Sequence, residues 1–314
     1  MIKPLGKVAV FLGGRSRERV ISLKSGQAVA CALREAGLDV VTIDTANGFR
    51  SELKRTPIDI AFLALHGSGG EDGTIQGILN EEHVSYVGSD PEASALAFDK
   101  ARSKELFERS GILTPPFDVI TRSNWKKILE LWKPPYVVKP VNEGSSIGIF
   151  FVEGARGALR RIEFHLKRYG RLLIEEKIDG REFTVGILGE EALPVIELRP
   201  KRKFYDFKAK YTKGLTDYLV PAPISHEMAQ RLQSIALQAH SALGLRDMSR
   251  ADFKVDEHGN PFILEVNSIP GFTETSLLPK AAEFIGISFT ELCLRLVELA
   301  RRRKDLIGVG DGKS

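Results

Sequence analysis

Apolar and polar positions alternate with period two on both sides of a turn late in the chain, between Arg250 and Val255 and again, after the apolar run Phe262-Ile-Leu264, from Leu264 to Asn267. The intervening Glu257, His258, Gly259 and Asn260 have the composition that reverses a chain between antiparallel strands. Folding about His258-Gly259 sets Asp252 opposite Glu265 and Arg250 opposite Asn267, and sets Ala251, Phe253 and Val255 against Val266, Leu264 and Phe262. One face is core. The other gathers two carboxylates, an amide and an arginine, a set that suits a hard cation such as Mg²⁺ beside a phosphate or a developing oxyanion. A solvated outer face of a two-sided antiparallel sheet is the alternative reading of the same pattern.

Upstream, the patterns change twice. Strand-like Lys7 to Leu12, a glycine turn, a helical pattern through Ala28, Val29 and Leu33 to Gly37, and strands at Val40 to Asp44 and Ile58 to Leu65 predict βαβ units with a parallel, doubly covered sheet. Pro91 to Ser110 reads as one helix ending at Gly111, with Thr114-Pro-Pro116 as a domain junction. From Tyr136 short strands predominate (136–139, 149–152, 172–175 and 182–185), interrupted by a helix over 153–169. Strands around 192–198, a helix over 225–243, the hairpin and a final amphipathic helix from Phe289 to Ala300 complete the order, with a frayed tail from Gly308.

At 314 residues, with 43% hydrophobic and 27% charged positions, the chain has the length of a multidomain globular protein. No apolar run reaches bilayer-spanning length and no signal-peptide core follows Met1, so a cytoplasmic location and no membrane partner are expected. The net charge of +4 is small, and the run Arg301 to Lys304 falls where cations complement a helix C-terminus, so no nucleic-acid partner is expected. Cys31 and Cys293 each lie in a helix-like apolar pattern and read as reduced core thiols.

Several loops can carry chemistry. Asn142-Glu-Gly-Ser-Ser-Ile-Gly148, after Val138-Lys139-Pro140, offers glycines, hydroxyls and consecutive N–H groups for phosphate oxygens, or is a plain hairpin turn. The turn Leu12-Gly-Gly-Arg-Ser-Arg-Glu18 lacks the G-x-G-x-x-G spacing, which argues against nicotinamide binding, but a strand end opening a helix is where open α/β sheets bind ligands. His66-Gly-Ser-Gly-Gly-Glu-Asp-Gly73 begins where a buried strand stops, and His66 lacks the apolar setting of a core histidine. Phe204 to Tyr211 interleaves aromatics and lysines, either as a nucleic-acid contact or as a lid bringing Lys210 to an anion. Glu175 and Glu182 bracket the turn 177–181, where they form a surface ion pair or hold a ligand. Ser276 opens a helix at Leu277, as an N-cap or as a seat for a carboxylate.

Taken in order, these segments resemble the D-alanine–D-alanine ligase family of ATP-grasp enzymes. The match runs through Leu-Gly-Gly-Arg-Ser-x-Glu18, His66-Gly-x-Gly-Gly-Glu-Asp-Gly-Thr, Asp99-Lys100, Val-Lys139-Pro, Glu-Gly-Ser145-Ser146-x-Gly, Glu-Phe-Thr-Val, Ala-Lys210-Tyr211, Arg250-x-Asp252 and Glu265-x-Asn267-x-x-Pro-Gly-Phe-Thr. The resemblance implies an α/β plus α+β architecture: an open parallel α/β domain in residues 1–95, followed by a two-part ATP-grasp fold in 96–180 and 181–314. It implies ATP-dependent joining of two D-alanine molecules through an acyl phosphate, and a homodimer built largely on the N-terminal domain. By the same resemblance Lys100, Lys139, Ser146, Glu175, Lys177, Ile178, Glu182 and Lys210 would surround ATP. Asp252, Glu265 and Asn267 would ligate two Mg²⁺ ions, for which Mn²⁺ can substitute. Glu18 would hold the first substrate's ammonium and connect through Ser145 to Tyr211, with His66 near that substrate's carboxylate. Arg250 and the Gly271 amide would face the oxyanion, and Ser276 with the Leu277 amide would take the second carboxylate. The chain departs from the pattern at Val20, where relatives often carry an acid, and at Lys177, a hinge position more often hydrophobic or aromatic.

Overall fold

The computed structural model describes residues 6–154, 157–201, 212, 214–273 and 275–310. Its first sheet is parallel, in the order β2 (Asp39–Asp44), β1 (Lys7–Leu12), β3 (Ile60–Leu63), β4 (Ser85–Val87). Helices α1 (Arg19–Glu35), α2 (Phe49–Arg55) and α3 (Thr74–Glu81) connect the strands. Because β2 lies on one side of β1 and β3 on the other, the loops leaving β1 and β3 emerge side by side at a topological switch point. Those two loops carry Glu18 and His66. Strands buried on both faces explain the nearly continuous apolar runs of β1 and β3.

The helix expected over 91–110 is two, α4 (Pro91–Phe98) and α5 (Lys100–Arg109). Asp99 adopts an extended conformation between them, and its carboxylate accepts from the Ala101 and Arg102 amides. A side chain that caps a new helix competes with continuing the old one. Both helices pack against the last sheet, through Ala93, Ala97 and Phe107.

The second sheet is antiparallel, in the order β5 (Phe117–Thr121), β8 (Arg171–Glu176), β6 (Tyr136–Pro140), β7 (Phe150–Val152). Helices α6 (Trp125–Leu129) and α7 (Ala158–Tyr169) cover one face. The helix α7 begins at Ala158 rather than 153, after Gly157 in a left-handed conformation (φ +80°).

The third sheet runs β12 (Thr216–Leu219), β11 (Ile196–Pro200), β9 (Arg181–Leu188), β13 (Met248–Val255), β14 (Pro261–Asn267), with β10 (Glu191–Ala192) pairing on β9. Helix α8 (His226–Ala242) packs on its core face. The terminal helices α9 (Leu277–Phe284) and α10 (Phe289–Gly310) return to the first sheet, where Leu278, Leu292 and Leu296 join its core. The last helix thus continues well past Ala300 and through Gly308, where a tail was expected.

The basic run within α10 meets acids on its own helix and on neighbouring elements. Arg301 and Arg302 pair with Glu298, Lys304 with Asp59, and Arg303 with Asp247 and the Tyr86 carbonyl oxygen (2.8 Å). Asp247 also accepts from the Gly88 amide at 2.7 Å, so one buried carboxylate ties the last helix to the first sheet. Cys293 is a buried thiol, as expected. Cys31 is exposed, contrary to expectation, because α1 buries Ser22, Ser25, Gly26, Val29 and Leu33 and residue 31 lies about 200° around the helix from Val29.

Candidate active site

The hairpin β13–β14 pairs Arg250 with Asn267, Ala251 with Val266 and Asp252 with Glu265, as its alternation dictates. Beyond Asp252 the register shifts by one residue: Phe253 pairs with Ile263 and Val255 with Pro261, not with Leu264 and Phe262. A strict two-residue period from Glu265 would turn Ile263 toward the polar face. The extra residue, Leu264, sends Ile263 into the core, where it is fully buried, and leaves Glu265 beside Asp252. Thr184 on the neighbouring β9 shares this face and donates to Asp252 Oδ1 at 2.6 Å.

Arg250 grips Asp252 with two hydrogen bonds, Nε to Oδ1 at 2.9 Å and Nη2 to Oδ2 at 2.8 Å. The Asn267 amide donates to Asp252 Oδ2 at 3.3 Å. Glu265 is met by Lys100 at 3.3 Å, and the same ammonium donates to the Glu143 carbonyl oxygen at 2.7 Å. Lys100 therefore joins the third sheet to the glycine-serine loop of the second.

That loop closes on the first sheet. Ser145 donates to Glu18 Oε1, and both Ser145 (φ +50°) and Ser146 (φ +60°) hold the left-handed backbone that costs a non-glycine residue energy and is concentrated at functional sites. Glu18 is wedged between two glycines: a Cβ on Gly144 would sit 2.5 Å from its Oε2, and one on Gly67 2.9 Å. Only glycine lets both backbones approach this carboxylate.

His66 is buried, its Nε2 lies 3.3 Å from Ser25 Oγ, and its carbonyl oxygen accepts from Ser16 Oγ at 2.6 Å. Burial, aided by the Arg250 charge, pushes its pKa down to about 4, so the ring is neutral at pH 7. Ser25 Oγ also accepts from the Phe272 amide (3.3 Å), which anchors the loop after Asn267. In that loop Ser276 precedes α9 but does not cap it. Its hydroxyl instead meets the Thr273 amide (3.1 Å) and the Thr273 hydroxyl (2.8 Å), and lies against Gly271. The first amides of α9, Leu277 included, are left without that side-chain acceptor, an arrangement that suits an anion.

Lys139 and Glu175 meet at 2.7 Å, inside the second sheet's cleft face, with Lys104 on the other carboxylate oxygen at 3.0 Å. Burial drives Glu175 upward, but the two lysines outweigh it and hold the carboxyl below its ordinary value. Burial lowers Lys104 to about 8. Both carboxylate oxygens of Glu175 are thus engaged by lysines. Glu182 lies 3.4 Å from Lys254, on the face that carries Asp252. At the hinge Lys177 pairs with Asp179 at 3.0 Å, and a cavity of about 1000 Å³ there takes in Lys177 and Ile178 but none of the residues facing Asp252. Lys210 and Tyr211 lie outside the described residues.

Three participants escaped the sequence reading. Lys104, one turn after Lys100 on a face shared with Phe107, could have been found as a lysine on an apolar stripe. Thr184 follows Glu182 by two in a strand. Glu71 lies inside the glycine loop after β3 and accepts from the Gly67 amide at 2.7 Å. Burial, reinforced by Glu18, pushes Glu71 up to about 8. Since this exceeds the ordinary 4.5, the folded state binds more protons than the unfolded one between those values, and stability falls as pH rises through that window. Glu71→Gln removes this loss. Its melting temperature advantage over the parent is expected to grow from about pH 4.5 to 8 and level off above; a pH-independent difference rules the titration out.

Among the described residues no cluster of three or more His, Cys, Asp or Glu is gathered. A cation site here rests on Asp252, Glu265 and the Asn267 amide. Two carboxylates and an amide oxygen on one face fit a hard, oxygen-seeking cation, and in the protein alone their charge is offset by Arg250 and Lys100.

Comparison with known proteins agrees along nearly the whole chain. The family model described as D-ala D-ala ligase C-terminus matches residues 106–298, and that of the D-ala D-ala ligase N-terminus matches 44–89. A D-alanine–D-alanine ligase of Syntrophotalea carbinolica is 43% identical over 95% of this chain and 97% of its own length, and one of Aquifex aeolicus 44% over 91% and 98%. Among solved structures, the ATP complex of the Bacillus anthracis D-alanine–D-alanine ligase superposes with a TM-score of 0.84 at 29% identity, covering 96% of this chain and 99% of that one. The VanG D-Ala:D-Ser ligase of Enterococcus faecalis gives 0.82 at 30%, covering 94% and 99%. With motifs, topology and relatives in agreement, the chain belongs to the D-alanine–D-alanine ligase family and has the ATP-grasp fold.

Proposed function

We propose that this protein joins two D-alanine molecules, with ATP as phosphoryl donor, to make the dipeptide used in the bacterial cell wall. The observation that carries the reading is the series of contacts that links three sheets: Glu18 to Ser145, the Glu143 carbonyl to Lys100, Lys100 to Glu265, and Asp252 to Arg250. In this reaction a carboxylate oxygen of the first D-alanine attacks the γ-phosphorus, and ADP departs as the acyl phosphate forms. The second amine then attacks the acyl carbon, loses a proton, and expels inorganic phosphate as the tetrahedral intermediate collapses. Such chemistry asks for positioning and charge neutralisation rather than a covalent protein group.

In this reading Glu18 receives the first ammonium and neutral His66 lies by the first carboxylate. Ser276 and the Leu277 amide receive the second carboxylate, and Arg250 with the Gly271 amide faces the oxyanion. Lys100, Lys139, Ser146 and Glu182 surround the phosphates and ribose, Lys177 and Ile178 lie by the adenine, and Glu175 acts through Lys139. Asp252, Glu265 and Asn267 hold two Mg²⁺ ions, or Mn²⁺ in their place. Bound there, the metal neutralises phosphate charge. Lys210 approaches the transferred phosphate and Tyr211 closes on Ser145. We retain the division at residues 95 and 180, a homodimer built on the N-terminal unit, a cytoplasmic location and no nucleic-acid partner as parts of the same proposal. A D-Ala:D-Ser ligase among the structural relatives means that the fold alone leaves the second substrate open.

Release of ADP and phosphate should depend on D-alanine and yield a ninhydrin-positive dipeptide. Turnover with L-alanine but none with D-alanine would overturn the assignment. Glu18→Gln is expected to raise the KM for D-alanine about tenfold or more while leaving ATP binding unchanged, because an ammonium loses its charged partner. Parallel titrations of the two substrates check this.

A further inference from the structure

The helical face of the second sheet is charged out of proportion to the chain. Residues 121–171 carry eleven Lys and Arg against four Asp and Glu, whereas the whole chain carries 45 against 41. Lys139 is buried with Glu175, and Arg171 pairs with Asp99. Arg122, Lys126, Lys127, Arg160, Arg161 and Arg168 are all exposed, on or beside α6 and α7. Glu163 is the single acid of α7, and it offsets Lys167 at 3.0 Å.

Large apolar side chains stand among these cations. Helix α7 buries Ala158, Ile162 and Leu166, so at about 100° per residue its opposite pole falls between Arg160 and Phe164. Phe164 is 58% exposed there, with Arg160, Arg161, Lys167 and Arg168 three or four positions away. Leu159 is 57% exposed and Leu131 77%. Between the helices a groove of about 640 Å³ is lined by Trp125, Leu159 and Leu166 under Arg122, Lys126 and Arg160.

A convex helix that presents single aromatic and leucine side chains within a spread of Lys and Arg matches the composition of interfacial helices. The charge is distributed over two helices whose one acid is Glu163, which suits a diffuse anionic surface better than the patterned charges of one folded protein partner. Strand β6 turns Val138 to these helices and its neighbour Lys139 to the opposite, catalytic face, so occupying the helical face leaves the cleft open.

We propose that this face docks peripherally on a membrane surface containing anionic phospholipid, with Phe164 and Leu159 entering the interfacial layer and the surrounding cations meeting headgroup phosphates. Such docking needs no spanning segment, and no helix among the described residues is long and apolar enough to cross a membrane.

The test is cosedimentation of the full chain with phosphatidylcholine vesicles, with and without phosphatidylglycerol. Binding is expected only to the anionic vesicles, and release at about 0.5 M salt. Each cation near the surface contributes about a fivefold factor to partitioning, so Arg160→Glu with Arg161→Glu is expected to lower it by about 100-fold. Phe164→Ser should lower it about tenfold. D-alanine-dependent ADP release and an unchanged melting curve in both variants show that the fold is intact. Failure of the parent protein to bind anionic vesicles at low salt overturns the proposal, as does equal binding by the charge-reversed variant. Capture of poly-glutamate without capture of vesicles would overturn it in favour of an acidic polypeptide partner.

Discussion

Arg250→Ala should lower kcat by about 10² to 10³, the loss typical of removing a preorganised donor from a developing oxyanion. The residue is set for that role by its bidentate grip on Asp252 (2.9 and 2.8 Å), which fixes the guanidinium plane. Arg250→Lys keeps the charge but not the planar fork and should fall between. Steady-state rates at saturating D-alanine and ATP, with ATP binding measured separately, divide the two effects. If kcat stays within about threefold while ATP affinity falls, the arginine serves only to hold Asp252 and the oxyanion assignment fails.

The largest expected effect on stability comes from Glu175→Gln. The carboxylate lies between Lys139 at 2.7 Å and Lys104 at 3.0 Å, with all three side chains almost wholly buried. Removing one partner of a buried ionic cluster leaves uncompensated charge and costs about 3–5 kcal/mol, equivalent to roughly 10 °C in melting temperature. The Glu175 carboxyl is held below its ordinary 4.5, so its contribution is complete above that value and is lost as pH falls through the folded value. The gap between parent and variant should therefore be widest near neutrality and close on acidification. Adding Lys104→Met to Glu175→Gln should recover part of the loss, because one unpaired ammonium is removed. A double variant no more stable than the single one would show that Lys104 is not charged in the folded protein.

The two clusters behind these predictions were unequally legible. Arg250, Asp252, Glu265 and Asn267 could be read directly, because alternation in a hairpin assigns faces and a turn assigns register. The reading failed only past Asp252, where the bulge at Leu264 shifts the pairing. Nothing in Phe262-Ile-Leu-Glu265 distinguishes a bulged from a regular strand, since all three apolar residues suit either face. The Lys104–Glu175–Lys139 cluster was half visible: Lys139 and Glu175 end apolar strands, but Lys104 was not singled out. Asp99 was quoted within a motif, yet its power to split one helix into two was missed, and Cys31 was put on the wrong face of α1.

Local order in the chain determined the strands, most helices, the two-faced hairpin and the glycine loops, because periodicity and turn chemistry act over a few residues. The meeting of Glu18, Ser145, Lys100 and Glu265 was decided only by the tertiary structure. Those residues are separated by up to 247 positions, and their contacts depend on three sheets closing on one cleft. The charges of Glu71, Lys104 and His66 were decided there as well, because a pKa follows from burial and from neighbours brought in by the fold.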